Sequence, residues 1–250
     1  MLVIKNKFIF SVILLLLVSN LSIIYSENLR YISLEDENGV IPDYDMYVYA
    51  VQWGPNYCLN QDQFCIDKLR RSVPKHNMSI HGLWPSLISK TRISDCNQGT
   101  PIKVSNDGSS LFTKMLKYWP TLSKSHSDIS FWEHEFNKHG YCYNNKYNKN
   151  NYKDFFSKTL EIFEKKQFNT IMTRAFQIKQ AEQKYSLAEF KQRIQNAVGG
   201  NYYDLDCFMS NSKQYLKEIR LYLDLGFNGM NNYTMGSNCH KDEIFVLFDV

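Results

Sequence analysis

The 250-residue chain has no C-x-x-C pair, no internal repeat and no proline- or glycine-rich stretch. The first absence argues against a zinc ribbon, and the other two leave no linker at which a mature chain would divide into domains. It is also short of net charge. Loss of residues 1–26 would leave 27 basic against 25 acidic residues, a formal charge of +2. That is too little for binding a polyanion by bulk charge, so any such partner must be recognised at a local site. Beyond residue 26 no apolar run approaches the length of a membrane span. Hydrophobic residues make up 44% and charged residues 22%, which excludes a disordered or collagen-like chain, and 17 Tyr with 16 Phe supply ample core.

The start of the chain sets the compartment. Lys5 and Lys7 precede the apolar run from Phe8 to Val18, and the small or polar Ser19, Ser22 and Ser26 follow. This is the layout of a secretory signal peptide over residues 1–26, cleaved near Ser26. The rival is a membrane anchor extended by Ile23, Ile24 and Tyr25. It is disfavoured because Asn20 and the serines interrupt the run and no basic cluster follows it. In an oxidising compartment Cys58, Cys65, Cys96, Cys142, Cys207 and Cys239 are expected to form three disulfides, and spacing alone leaves fifteen pairings open. The triplets beginning at Asn77 and Asn232 are glycosylation acceptors in keeping with that route.

Strand-like alternation occurs over Tyr47–Trp53, Glu218–Asp224 and Glu243–Phe248, with a shorter candidate at Ser79–Leu83 stopped by Pro85. Helical patterns run from Ser109 to Tyr118, Phe131 to His139 (ended by Gly140), Tyr152 to Lys166 and Ser186 to Val198, the last opened by the capping box Ser186–Glu189. Asn144–Asn151 reads as a solvated loop. Strands at both ends with helices between them indicate one α+β domain over residues 27–250, built on an antiparallel sheet.

Five titratable side chains crowd into residues 133–139. Residues four apart share a helix face, so His134 is expected over Lys138 and Glu135 over His139. A zincin site fails on spacing: position 138 is Lys, and His139 lies five residues from His134, about 140° around an α-helix. A second segment, Ser79-Ile80-His81-Gly82-Leu83-Trp84-Pro85, adds a histidine on a short apolar strand. Alone, such a histidine is more often a satisfied core residue than a catalyst. Together the segments hold what cleavage of an RNA phosphodiester requires without a metal: two imidazoles to take and give protons and a fixed cation for the developing charge.

His81-Gly82-Leu83-Trp84-Pro85 and Phe131-Trp132-Glu133-His134-Glu135-Phe136-Asn137-Lys138-His139-Gly140-Tyr141-Cys142 resemble the two active-site segments of the ribonuclease T2 family. The likeness extends to Val51-Gln52-Trp53 with Tyr57-Cys58, and to the region of Cys207 and Cys239. It implies an α+β fold and metal-independent, cofactor-free cleavage of single-stranded RNA through a 2′,3′-cyclic phosphate, usually at acidic pH. By position, it implies His139 as general base and His81 as general acid. Glu135 and Lys138 would stabilise the transition state, and His134 would bind phosphate. Trp84 would stack on a base in one subsite, with Gln52 and Phe131 in the other. It pairs Cys58 with Cys65, Cys96 with Cys142 and Cys207 with Cys239.

Phe136 stands where the family commonly has Trp and Tyr141 where Thr is usual, both expected packing changes. Ser86 and Thr121 depart from residues that some members use around the bases. His76, His126 and His240 match no motif position. The expected product is a monomer without membrane association, secreted or held in the lysosomal or endosomal lumen. The alternatives are a secreted RNA- or glycan-binding effector that acts without catalysis, which gives no reason to keep both proton-transfer histidines, and a metal-dependent hydrolase, which chelators would inhibit.

Overall fold

The alternating segments at the two ends of the chain meet in one six-stranded sheet. The computed structural model describes residues 43–89, 93, 96, 101–178 and 181–249, so the expected leader over residues 1–26 lies outside the described residues. The strands are β1 Met46–Gln52, β2 Ser79–Ser86, β3 Glu182–Ser186, β4 Tyr203–Ser210, β5 Lys213–Asp224 and β6 Glu243–Leu247. Their order is β2-β1-β5-β6-β3, with β4 also on β5. Pairing is antiparallel as expected, except that β5 meets β6 in parallel at Tyr215 and Phe245. β3 and β4 go beyond the strands read from the sequence. β4 returns to β5 through Asn211 and Ser212, both at positive φ, the geometry that a two-residue hairpin requires.

β2 does not stop before Pro85 but runs to Ser86, with Tyr47 opposite Pro85. It is an edge strand, where the missing N–H of proline removes no ladder bond. The β1–β2 register also slips by one: Ala50 pairs Gly82 and Val51 pairs Ile80, so His81 is the extra residue of a bulge. Without the bulge Ile80 and Leu83, three apart, would face opposite sides of the sheet; with it, both enter the main core.

The helices are α1 Gly54–Tyr57, α2 Gln63–Ser72, α3 Ser110–Tyr118, α4 Asp128–Glu135, α5 Tyr141–Lys146, α6 Tyr152–Lys165, α7 Ile171–Ala175 and α8 Leu187–Val198. They bury Trp132, Phe136, Phe155, Phe156, Phe163 and Phe190 with Tyr49, Val51, Ile219 and Leu221 of the sheet. The Tyr49 hydroxyl donates to the Thr159 carbonyl at 2.8 Å, fastening α6 to β1. α8 has the expected ends: the Ser186 hydroxyl accepts from the Glu189 N–H, and Gly199 closes it at φ 79°. On the other face of the sheet Met46, Val48 and Tyr222 form a small cluster with Trp84, Met230, Tyr233 and Met235. By alternation that face also carries Gln52, Asp204, Asp206, Glu218 and Arg220.

Gly140 does not end the helix that carries the motif. α4 begins at Asp128, passes through a π turn over Phe136–Gly140, and continues as α5. Gly140 is helical at φ −68°, and a Cβ there would lie 2.3 Å from the Phe136 ring, so its bareness serves packing. Phe136 sits among Tyr141, Tyr152, Phe155 and Phe156, the packing role expected of it. The first residues of the expected Asn144–Asn151 loop belong to α5, and Asn144 is buried. Among the described residues no helix is long and apolar enough to cross a membrane.

Candidate active site

Two devices deliver the site residues: the bulge in β2 and the π turn after α4. The Ser127 hydroxyl caps α4 by accepting from the Ser130 N–H, and Asp128 accepts from the Thr121 N–H at 2.8 Å while pairing with Lys68 of α2. The indole of Trp132 donates to the Trp119 carbonyl at 2.7 Å, and the indole of Trp119 donates to the His81 carbonyl at 2.8 Å. These bonds fix the helix against the bulge. The Cys96–Cys142 disulfide and the bond from the Cys96 N–H to the Lys138 carbonyl (3.3 Å) hold the π turn from outside. The other disulfides join Cys58 to Cys65 and Cys207 to Cys239, the pairing that the likeness implies.

Within the π turn the Tyr141 N–H bonds to the Phe136 carbonyl, five residues back. The wider turn relates residues five apart, and His134 and Lys138 both act electrostatically on His139.

The structure brings together His81, Trp84, Glu135 and His139. The Trp84 ring meets the His81 ring at 5.0 Å and the His139 ring at 5.7 Å. Its indole N–H donates to Glu135 Oε2 at 3.1 Å. Phe131 stacks 6.2 Å from His81. A Cβ on Gly82 would fall 2.2 Å from Glu135 Oε2 and 2.3 Å from Trp84 Nε1, so this glycine makes room for their bond. Lys138 and His134 are exposed beside the group. Gln52 is buried on β1, one strand away, in register between Ser79 and Glu218. Asn77 is half-buried and Asn232 exposed, and neither is part of the site.

One participant was missed. Glu218 of β5 is 1% exposed, and its Oε2 accepts from His81 Nδ1 at 2.8 Å. Its Oε1 accepts from Arg220 Nε at 2.7 Å. The segment reads only as an alternating strand in sequence, and 137 residues separate Glu218 from its partner.

The surroundings drive the two imidazoles apart. For His81, burial favours the neutral ring, but the hydrogen bond and charge of Glu218, with the charge of Glu135, outweigh it and raise its pKa above 6.5. For His139, burial and then the charges of Lys138, His134 and His81 act in one direction and lower it to about 3. Burial raises the Glu135 pKa against the opposing His81 charge, Trp84 bond and Lys138 charge. Among the described residues no group of three or more His, Cys, Asp or Glu is placed to hold a metal ion.

The family model of the ribonuclease T2 family matches residues 44–241. The chain belongs to that family. Ribonuclease 1 of Arabidopsis thaliana is 33% identical over 158 residues, 63% of this chain and 66% of that protein. Extracellular ribonuclease LE of Solanum lycopersicum is 30% identical over 158 residues, with the same coverage. The match thus spans just under two thirds of the length of these T2 relatives. Among solved structures, an RNase-related protein from Calystegia sepium superimposes with a TM-score of 0.65 at 20% identity, covering 81% of this chain and 97% of that one. The described T2 fold is accordingly α+β, with helices on the sheet and three disulfides.

Proposed function

We propose that this chain is an endoribonuclease that cleaves single-stranded RNA by transphosphorylation, without a metal or cofactor. The observation that carries this reading is the opposed displacement of His81 and His139. Two identical side chains whose environments separate their pKa values form an acid/base pair, the higher being the acid. His139, neutral above about pH 3, removes the 2′-hydroxyl proton, and the 2′-oxygen attacks phosphorus. His81, protonated, gives its proton to the 5′-oxygen as the P–O5′ bond breaks, leaving a 2′,3′-cyclic phosphate. Lys138 supplies positive charge for the crowded phosphoryl oxygens. Glu135, held by Trp84 with its pKa raised, donates a hydrogen bond to one of them when protonated. His134 binds the phosphate from the exposed side.

Trp84 and Phe131, both partly exposed, offer ring surface to unstacked bases, and Gln52 lies one strand away. The catalytic domain is residues 27–250, acting as a monomer. The basic and apolar start of the chain routes it into the secretory pathway, to the exterior or the lysosomal or endosomal lumen, with Asn77 and Asn232 as glycan acceptors. The test is digestion of single-stranded RNA by the oxidised protein from acidic to neutral pH in excess chelator, with His81→Ala as control. Cyclic-phosphate ends from the wild type alone support the reading. Chelator-abolished cleavage, or folded wild type without cleavage, overturns it.

A further inference from the structure

His81 is held through its carbonyl, its ring face and one ring nitrogen. Its carbonyl accepts from Trp119, its ring lies against Trp84 and Phe131, and its Nδ1 is taken by Glu218. Nε2 is the ring nitrogen that Glu218 does not take. Glu218 is clamped in turn. Arg220 occupies its second oxygen and reaches Asp206 Oδ2 at 3.1 Å through its other arm. Asp206 Oδ1 accepts from Asn238 Nδ2 at 2.6 Å, and Asn238 Oδ1 accepts from the Cys207 N–H at 2.7 Å. This polar chain runs from the bulge to the Cys207–Cys239 disulfide along the sheet face that carries Met46, Val48 and Tyr222.

We propose that Glu218, locked by Arg220, is the positioning residue of the proton donor: it holds His81 with Nδ1–H toward the sheet and Nε2–H toward the leaving oxygen. This rests on the acid role given to His81 above. A carboxylate accepting from Nδ1 fixes the ring orientation and favours the charged ring at once, as a donor that must be protonated before each turnover requires. The other charged groups acting on His81 divide in sign. Glu135 from α4 adds to Glu218, and Lys217 on β5 opposes it, while His139 in the π turn is coupled to His81. Glu218 alone among them bonds the ring directly.

Removing one member of a buried charged pair leaves the other unpaired, so Glu218→Ala threatens folding. Glu218→Gln keeps the shape and an amide oxygen that can accept from Nδ1, and removes the charge. In that variant the alkaline limb of the kcat profile should move down by about one pH unit, so that kcat near neutrality falls about tenfold. At acidic pH, where His81 is protonated regardless, kcat should return to near the wild-type value with KM little changed. A uniform loss at all pH values, or an unmoved alkaline limb, overturns the proposal. If Glu218→Gln does not fold, side-chain ¹⁵N spectra of the wild type decide, with His81 assigned by its loss in His81→Ala. Neutral His81 carrying its proton on Nδ1 supports the proposal, and a proton on Nε2 overturns it. The spectra need no activity, so wild type without RNA cleavage would sink the parent reading and still leave the pairing of His81 with Glu218 measurable.

Discussion

His81 and His139 flank the same tryptophan, yet one sits on a strand and the other on a helix, and their surroundings are opposite in charge. His81 meets the carboxylates of Glu218 from the sheet and Glu135 from α4, and His139 meets Lys138 and His134. Both rings are largely enclosed, and burial alone would push both down together. The sign of the neighbouring charge therefore separates the two rings, as the proposed donor and acceptor require. A bulge aims one into a carboxylate, and a π turn gathers the other among cations.

The severest way to break the comparison is to remove either partner. His81→Ala and His139→Ala should each lower kcat on single-stranded RNA by about 10²–10⁴, the range for lost general acid or base catalysis. The double variant should lose scarcely more than the worse single, because the two act in one step. Near-native turnover in a folded single variant would dissolve the pair. Next comes pH. The proposed mechanism needs His139 neutral and His81 charged, so kcat/KM should be bell-shaped, rising through about pH 3 and falling above 6.5. Bound phosphate adds negative charge beside His139, so the acid limb of kcat should lie higher than that of kcat/KM. A profile flat across the imidazole range would refute the opposed pair.

Lys138→Ala sharpens the comparison from the helix side. Its charge is one of the causes that lower His139, so the acid limb should move to higher pH. In the proposed mechanism the same charge stabilises the transition-state anion, so kcat should fall about 10–100-fold, and KM much less. Steady-state kinetics at several pH values read both effects. A fall in affinity alone would reduce Lys138 to a general phosphate contact.

Much of this was legible in sequence because it is local. His81 and Trp84 are three residues apart, Glu135 and His139 four, and each set could be read within its own segment. The alternation that marked Glu218–Asp224 as a strand also held the missed information. Glu218 and Arg220 interrupt one face while Ile219, Leu221 and Leu223 fill the other, and a buried carboxylate on a central strand needs a partner. Which partner depends on sheet register, since only the β1–β5 and β1–β2 pairings bring residue 218 to residue 81. The π turn escaped for a different reason. A glycine after a helical pattern reads as a helix end, whereas Gly140 keeps a helical φ and its bareness admits the Phe136 ring. β4 and α2 are amphipathic elements with fewer apolar positions, Cys65 and Leu69 being the buried hydrophobic residues of α2. Pro85 misled through position, since its missing N–H matters only inside a sheet.

The mildest test lies between the two histidines. Trp84→Phe keeps an aromatic ring between the imidazoles and deletes the N–H that reaches Glu135 Oε2. Glu135 is 3% exposed, and that bond is one of the causes holding its pKa down, so the variant should raise it further. Losing a hydrogen bond to a charged group costs about 1.5–3 kcal/mol where nothing replaces it. At acidic pH, with Glu135 increasingly neutral in both proteins, most of that cost should vanish. The melting temperature of Trp84→Phe should therefore match the wild type at low pH and fall below it as pH rises through the Glu135 titration. The kcat loss should be about tenfold or less, because both proton-transfer rings remain in place. A melting deficit that does not change with pH would mean that the indole contributes packing alone, and that Glu135 is oriented by something other than the residue between the two histidines.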